Sequence, residues 1–377
     1  MTGAMYAAIS GLKAHMNALN VIGNNISNVN TLAYKATRYT FNEALYTTSR
    51  SGSDGTSQMG GQNPAQIGYG SSVGTIDVDM SSKNYTPTGM AMDCMIDGDG
   101  FFLLGDDKTK SGVTTQEEAQ GMLLSRLGNF NFDSQGFLVD GNGSLVYGFL
   151  RGRGSMTDAE EEAGELTEGD LTFNALTPIR LPMCTVTTDE ETQRTMTTIE
   201  WPELKSTTIG EGENTQTIYS IVDSDKAGVE RLQASTISID KTGAITAMTK
   251  DEQLIVVGYV AIAQVDNPNG VTHTDGRYYQ ALGGAGNVHL TTVGGSLTYV
   301  ASEDHTKKEG GVDYAASEIN IESGGDTALV TGGLESSGTD LATEITNMIT
   351  IQRGYQANTR IVTVTDSMLE ELVNMKR

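Results

Sequence analysis

Cysteine, tryptophan and proline are scarce in this sequence, at two, one and six among 377 residues. Cys94 and Cys184 stand without CxxC spacing, which excludes a disulfide framework and a cysteine zinc site and leaves two isolated thiols of the buried kind. No run approaches the roughly 20 apolar residues that cross a bilayer, so membrane insertion is not expected. The opening MTGAMYAAISGLKAHMNALN lacks the basic start and unbroken apolar core of a Sec signal peptide, so any export should use another route. Basic charge is also short, 24 Lys/Arg against 48 Asp/Glu. That balance argues against nucleic acid as a partner, because Lys/Arg contacts to phosphate dominate such binding.

Catalytic patterns are equally thin. His15, His273, His289 and His305 are scattered, and none has a second histidine or cysteine at ligand spacing. No nucleophile elbow, P-loop or dinucleotide fingerprint is present, and GGAG at 283–286 opens no convincing helix. Asp97 and Asp99 in IDGDGFF look like part of a calcium loop, but the EF-hand register fails, so a tight strand-to-strand turn is expected there. Trp201 reads as a core or domain-junction residue. No catalytic residue, metal or cofactor is expected, and the chain does not read as an enzyme.

What the sequence does have is glycine, 45 residues, which with so little proline suits many short strands and tight turns. Its charge is unevenly placed. Residues 1–50 carry four Lys/Arg and one Asp/Glu, and residues 339–377 carry four and five, so nearly all of the net charge of −24 lies between them. An acidic middle of this kind faces water.

The two nearly neutral ends carry a seven-residue spacing. Met5, Leu12, Leu19 and Ile26 recur near the start; Leu341, Met348, Tyr355, Val362 and Leu369 recur near the end, flanked by Ile345 and Ile351. That is coiled-coil spacing, and residues 339–377 would make a helix about 55 Å long. Glycines 3, 11 and 23 in the first helix, at about 1 kcal/mol each, and many β-branched residues in the second make both poor helices alone. Such helices form when packed, on each other and on neighbouring molecules, and an ordinary intramolecular helix pair is the plainer alternative. Asn17, Asn20, Asn24 and Asn28 recur on the face away from Leu12 and Leu19, where paired amides could register helices or could simply be solvated.

Between the ends, short alternating runs separated by Gly/Asn/Asp turns predict strands, including residues 72–80, 101–104, 129–132 and 254–265. STISIDKTGAITAM at 235–248 and GFLVDGNGSLVYG at 136–148 each read as a hairpin. Residues 51–63 read as a linker or surface loop, and the acidic run within 154–170 as a solvated loop.

The two ends also carry a family resemblance. Residues 9–35, with Asn25, Ile26, Asn28, Thr31, Tyr34 and Lys35, resemble the amino-terminal motif of the flagellar rod and hook axial proteins. The carboxy-terminal block, with Leu334, Glu335, Ser337, Asp340, Leu341, Gln352, Arg353, Tyr355, Gln356, Ala357, Asn358, Asp366, Met368 and Leu369, resembles that family's other conserved end. Residues 96–104 and 125–143 look like its first β domain, and 235–265 like the chain's return into it.

The resemblance implies mainly β middle domains with long N- and C-terminal α-helices forming an axial coiled-coil-like layer. The expected division is 1–31 with 339–377 as the axial helical domain, 32–70 and 310–338 as linkers, 71–150 with 229–309 as a discontinuous β domain, and 151–228 as an inserted outer β domain. It also implies a self-assembling helical homopolymer outside the cell, passed through the flagellar type III export apparatus without a cleaved signal peptide. Distal rod, hook cap and hook–filament junction proteins would be its partners. The expected polymerisation interface comprises Met5, Leu12, Leu19, Ile26, Asn24, Asn28, Leu341, Ile345, Met348, Tyr355, Val362 and Leu369.

The inserted segment favours the hook branch, the flexible joint that transmits torque from rod to filament. Residues 47–66 pull the other way, since distal rod proteins carry an extra stretch there. A distal rod subunit is therefore the alternative within the family. A secreted β-rich binding protein with a helical clasp is the alternative outside it.

Overall fold

The computed structural model describes residues 2–55, 60–106, 119–150, 176–188, 195–200, 203–209, 216–222, 230–232, 236–249, 254–274, 276–293, 321–323 and 327–375. The acidic run at 154–170, Trp201 and His305 lie outside them. The chain is mostly β, with one long helix at each end, α1 (Thr2–Ser27) and α2 (Leu341–Met375). It forms two compact units, Met1–Asp79 with Ser337–Arg377, and Met80–Ser336.

The second unit is built on an antiparallel sheet whose strands run, from one edge, Thr272–His273, Tyr278–Gln280, Leu123–Ser125, Phe101–Gly105, Leu254–Val265, Leu145–Leu150, Leu138–Asp140, Gly128–Phe132, Asp93–Asp97 and Ala328–Thr331. Both of its faces are buried. Phe102, Leu104, Val146, Leu150, Val260 and Ile262 enter one core, while their neighbours Phe101, Leu103, Leu145, Phe149, Ala261 and Ala263 enter the other. A strand covered on two sides needs apolar residues at every position, which accounts for unbroken runs such as FFLL and VAIA.

Both expected hairpins form. Thr236–Ile239 pairs with Ala244–Met248, and the turn closes with Asp240 N donating to Ala244 O at 2.8 Å. Val139 pairs with Leu145, and Asp140 Oδ1 accepts from Asn142 N and Ser144 N across that turn. The IDGDG segment joins strands Asp93–Asp97 and Phe101–Gly105, which pair with different neighbours instead of with each other. Asn142, at the tip of the second hairpin, donates to Tyr278 Oη, which in turn donates to Asp140 Oδ2 at 2.6 Å.

Two boundaries differ from the sequence reading. Residues 37–78, expected as a linker leading into a β domain, fold as a long ribbon belonging to the first unit. Strand β1 (Thr37–Glu43) pairs with β4 (Ser71–Val78), and beyond them β2 (Tyr46–Arg50) pairs with β3 (Ala65–Gly68), with a further bridge at Ser53–Gln62. Small polar side chains resembled a loop, but a two-stranded ribbon open to water needs no apolar face. Residues 176–181 also leave the expected outer segment. Thr177–Pro178 pairs with Tyr147–Gly148, and Leu176, Ile179 and Leu181 join the main cores. Beyond the sheet, Met183–Thr188 pairs with Thr195–Glu200 and with Glu230–Arg231, Glu203–Ile209 pairs with Gln216–Val222, and Tyr85–Pro87 pairs with Gly333–Glu335.

Candidate polymerisation interface

Helices α1 and α2 lie side by side in the first unit. Asn25 bonds to Glu344, a Cβ built on Gly354 would stand 2.8 Å from His15 Nε2, and one on Gly11 would stand 2.6 Å from Asn358 Nδ2. Each step down α1 is matched by an equal step up α2, so the pair is antiparallel. The two glycines mark where the helices approach most closely.

The seam is therefore not the one that apolar volume suggests. On α1 the buried residues are Ala8, Gly11, Ala14, Ala18, Ile22 and Asn25. Met5, Leu12, Leu19 and Ile26 sit one position round the helix and are half-buried. On α2 Ile351 and Thr365 are buried, Met348, Val362 and Leu369 are half-buried, and Leu341, Ile345 and Tyr355 are exposed. Small residues win the centre because close approach gains dispersion contacts along both backbones, while larger side chains wrap the flanks. The apolar cluster at the seam is Ala18, Ile22 and Ile351, with Leu19, Ile26, Tyr39 and Met348 packed against it.

One end of the pair is fastened by polar groups. Asn25, 1% exposed, donates to Thr37 O at 2.8 Å and to Glu344 Oε1 at 2.9 Å. Its Oδ1 accepts from the Tyr34 hydroxyl at 3.0 Å and from Thr37 N at 3.0 Å. Ser337 Oγ donates to Asn28 O, and Gly338 N to Tyr34 O. Asp340 caps α2, accepting from Ala342 N and from Thr343 Oγ1; the Thr343 bond, with the backbone amides, holds its carboxyl below the usual aspartate value. Burial, with the Glu344 charge adding to it, raises the Tyr34 phenol.

The motif residues shared by the two ends thus join one another within a single chain. Asn24 and Asn28, expected as intermolecular registers, are used locally. Asn28 Nδ2 donates to Asn24 O and Oδ1, and Thr31 Oγ1 donates to Asn28 Oδ1.

The outer faces remain apolar. Tyr6 is 66% exposed, Met16 50%, Ile345 44%, Ile349 49%, Val364 54% and Met368 52%. Side chains of this size and number standing in water around one helix pair mark a surface built to be covered.

Comparison with known sequences bears on what covers it. The family described as "Flagella basal body rod protein" matches residues 5–35, and "Flagellar basal body rod FlgEFG protein C-terminal" matches residues 330–375. These matches support a flagellar rod or hook axial protein. The chain is 28% identical to the flagellar basal-body rod protein FlgG of Bacillus subtilis over the full length of both chains. It is 24% identical to the flagellar hook protein FlgE of Borreliella burgdorferi, again covering all of both. A crystal structure of Helicobacter pylori flagellar hook protein FlgE2 overlaps 54% of this chain and 95% of that one at 11% identity, with a TM-score of only 0.28. These are structural, non-enzymatic families, and the two matched segments span α1 with its exit loop and α2 with its approach.

Sequence reasoning missed a second polar centre, in the β unit. Arg126, 2% exposed, donates to Gly98 O and Gly100 O and stands 3.5 Å from Glu335, whose side chain is fully buried. Glu335 also accepts from Lys83 N at 2.8 Å. The pair holds the IDGDG loop by its carbonyls. Its sequence signals are an arginine set inside the apolar run LLSRL and Glu335 in the carboxy-terminal motif, with nothing to link the two.

Proposed function

We infer that this axial protein is a structural subunit of the flagellar hook. It polymerises with itself through α1 and α2, which then form a coiled-coil-like inner layer of a tube. The observation that carries this reading is the apolar outer face of the helix pair. Fully burying a side chain of the Leu or Met class is favourable by about 1.5–3 kcal/mol, and neighbouring copies are the surface that can supply this burial repeatedly. Half-buried Met5, Leu12, Leu19, Ile26, Met348, Val362 and Leu369, with exposed Leu341, Ile345 and Tyr355, form that interface; Asn24 and Asn28 border it.

The hook branch is supported by the hairpins Met183–Glu200 and Glu203–Val222, which lie beyond the main sheet within the 151–228 segment and serve as an outer domain. A bent rotating tube must lengthen and shorten its sides in turn. Weak polar contacts between outer domains suit that, at about 0–1 kcal/mol for an exposed ion pair, while the helix layer stays fixed. The chain would reach the outside of the cell through the flagellar type III export apparatus and meet distal rod, hook cap and hook–filament junction proteins. A distal rod role is the second reading, favoured by the full-length similarity to a rod protein and by the long ribbon at 37–78.

Two measurements test this. Leu19→Asp or Met348→Asp should abolish assembly while the Met80–Ser336 unit stays folded; normal tubes from either variant remove the interface. Antibody against residues 183–222, viewed by electron microscopy on isolated flagella, should decorate the curved segment. Decoration of the straight rod would select the second reading.

A further inference from the structure

Helix α1 runs out before α2 does. On their antiparallel register Thr2 lies opposite about residue 367, so the last eight or so residues of α2, about 12 Å, have no α1 beside them. Ile361 and Val364, just before this overhang, and Met368, Leu372 and Met375 within it recur at three- and four-residue intervals and are 45–79% exposed. They form one stripe, about 90° around the helix from the seam.

The complementary surface is on α1. Tyr6, Lys13 and Met16 fall within about 80° of arc on the side turned away from α2, and all three are exposed. Lys13 is the only Lys, Arg, Asp or Glu in α1. Between Ile361 and Met375, by contrast, stand Asp366, Glu370 and Glu371 with no base. Glu371 borders the apolar stripe, and among the described residues neither it nor Lys13 has an ion-pair partner.

We propose that the C-terminal stripe of α2 docks on the outer face of α1 of a second copy, with Glu371 set against Lys13. The occupant is another copy because the α1 outer face points away from its own α2. The two surfaces differ, so each copy offers one of each. A contact between unlike patches does not close on itself as a two-fold dimer does, and it generates an open chain of subunits unless the rotation happens to complete a ring. The docking rests on the polymer reading above and gives it a register.

The test is charge exchange in the full chain, read as the critical concentration for assembly by sedimentation, with tubes identified by negative-stain microscopy. Lys13→Glu and Glu371→Lys each place like charges together and should each raise the critical concentration about tenfold. The double variant K13E/E371K should return to within about threefold of the native chain. Both sites are exposed, so far-UV circular dichroism of each variant should match the native chain. Singles that assemble at the native concentration, or a double variant no better than either single, overturn the docking and leave the polymer reading standing. A native chain that forms only a discrete oligomer overturns both.

Discussion

Replacing Asn25 by alanine probes the fastened end of the helix pair most directly. The side chain makes two donor and two main acceptor contacts from a position 1% exposed. Its removal strips partners from the Thr37 amide and carbonyl, the Tyr34 hydroxyl and one Glu344 oxygen. A buried polar group left without a partner costs about 1–3 kcal/mol, but Tyr34 keeps a contact from Asn24 at 3.3 Å, and half-buried Glu344 can turn toward water. The net loss should be about 3 kcal/mol, about a 100-fold rise in local opening. Amide hydrogen exchange on the full chain is the assay. In the native chain protection should be greatest around residues 18–28 and 341–351 and fall away toward 368–375. In N25A the first two segments should exchange about 100-fold faster, with Leu254–Val265 unchanged. Asn25→Asp keeps the shape and the acceptor but loses both donors and sets a second carboxylate beside Glu344, so its defect should shrink as the pH falls toward 4. Native exchange rates in N25A would refute the account of this end of the pair.

Three further outcomes follow from the described geometry. Arg126→Met should destabilise the Met80–Ser336 unit by about 3–5 kcal/mol in denaturant unfolding, because it leaves Glu335 charged and buried, and Arg126→Met with Glu335→Leu should recover much of that. Cys94 and Cys184 are buried and not joined in a disulfide, and burial pushes the Cys94 thiol up, so thiol reagents at pH 8 should modify both only at the rate of unfolding. Asp340 has a lowered carboxyl value; its support for α2 should be complete above the ordinary aspartate value near pH 4 and be lost as the pH falls through the lower folded value. Fraying of residues 341–345 on acidification, absent in Asp340→Asn, is the observable, and equal acid response in both chains would refute it.

Local chemistry made part of the fold readable. The two hairpins announce themselves by Asp and Gly at their turns, and the terminal helices by seven-residue spacing. The seam was displaced because a heptad is sought among large apolar residues, while Gly11, Ala18 and Asn25, themselves seven apart, are the residues buried at its centre. Of the ribbon at 37–78, residues 72–80 were legible as a strand, while β2 and β3, exposed along their whole length, lack the alternation that burial imposes. Asn25 was legible as a motif residue but not as the bond to Glu344, and Arg126 gave no hint of Glu335, because a partner far along the chain leaves no local pattern.

The bond between Asn25 and Glu344 joins positions 319 residues apart, which has a consequence for the order of events. A growing or threading polypeptide has the sheet strands from Asp93 to Thr331 in hand before α2 emerges, so the large unit can form first. The proposed joining surface cannot, since it awaits the final forty or so residues and the closure of a very long loop. On the proposed polymer reading, an interrupted chain, however well its sheet folds, would be unable to take a place in a growing tube, and the requirement that both extremities be present would serve as a proofreading step on every molecule added.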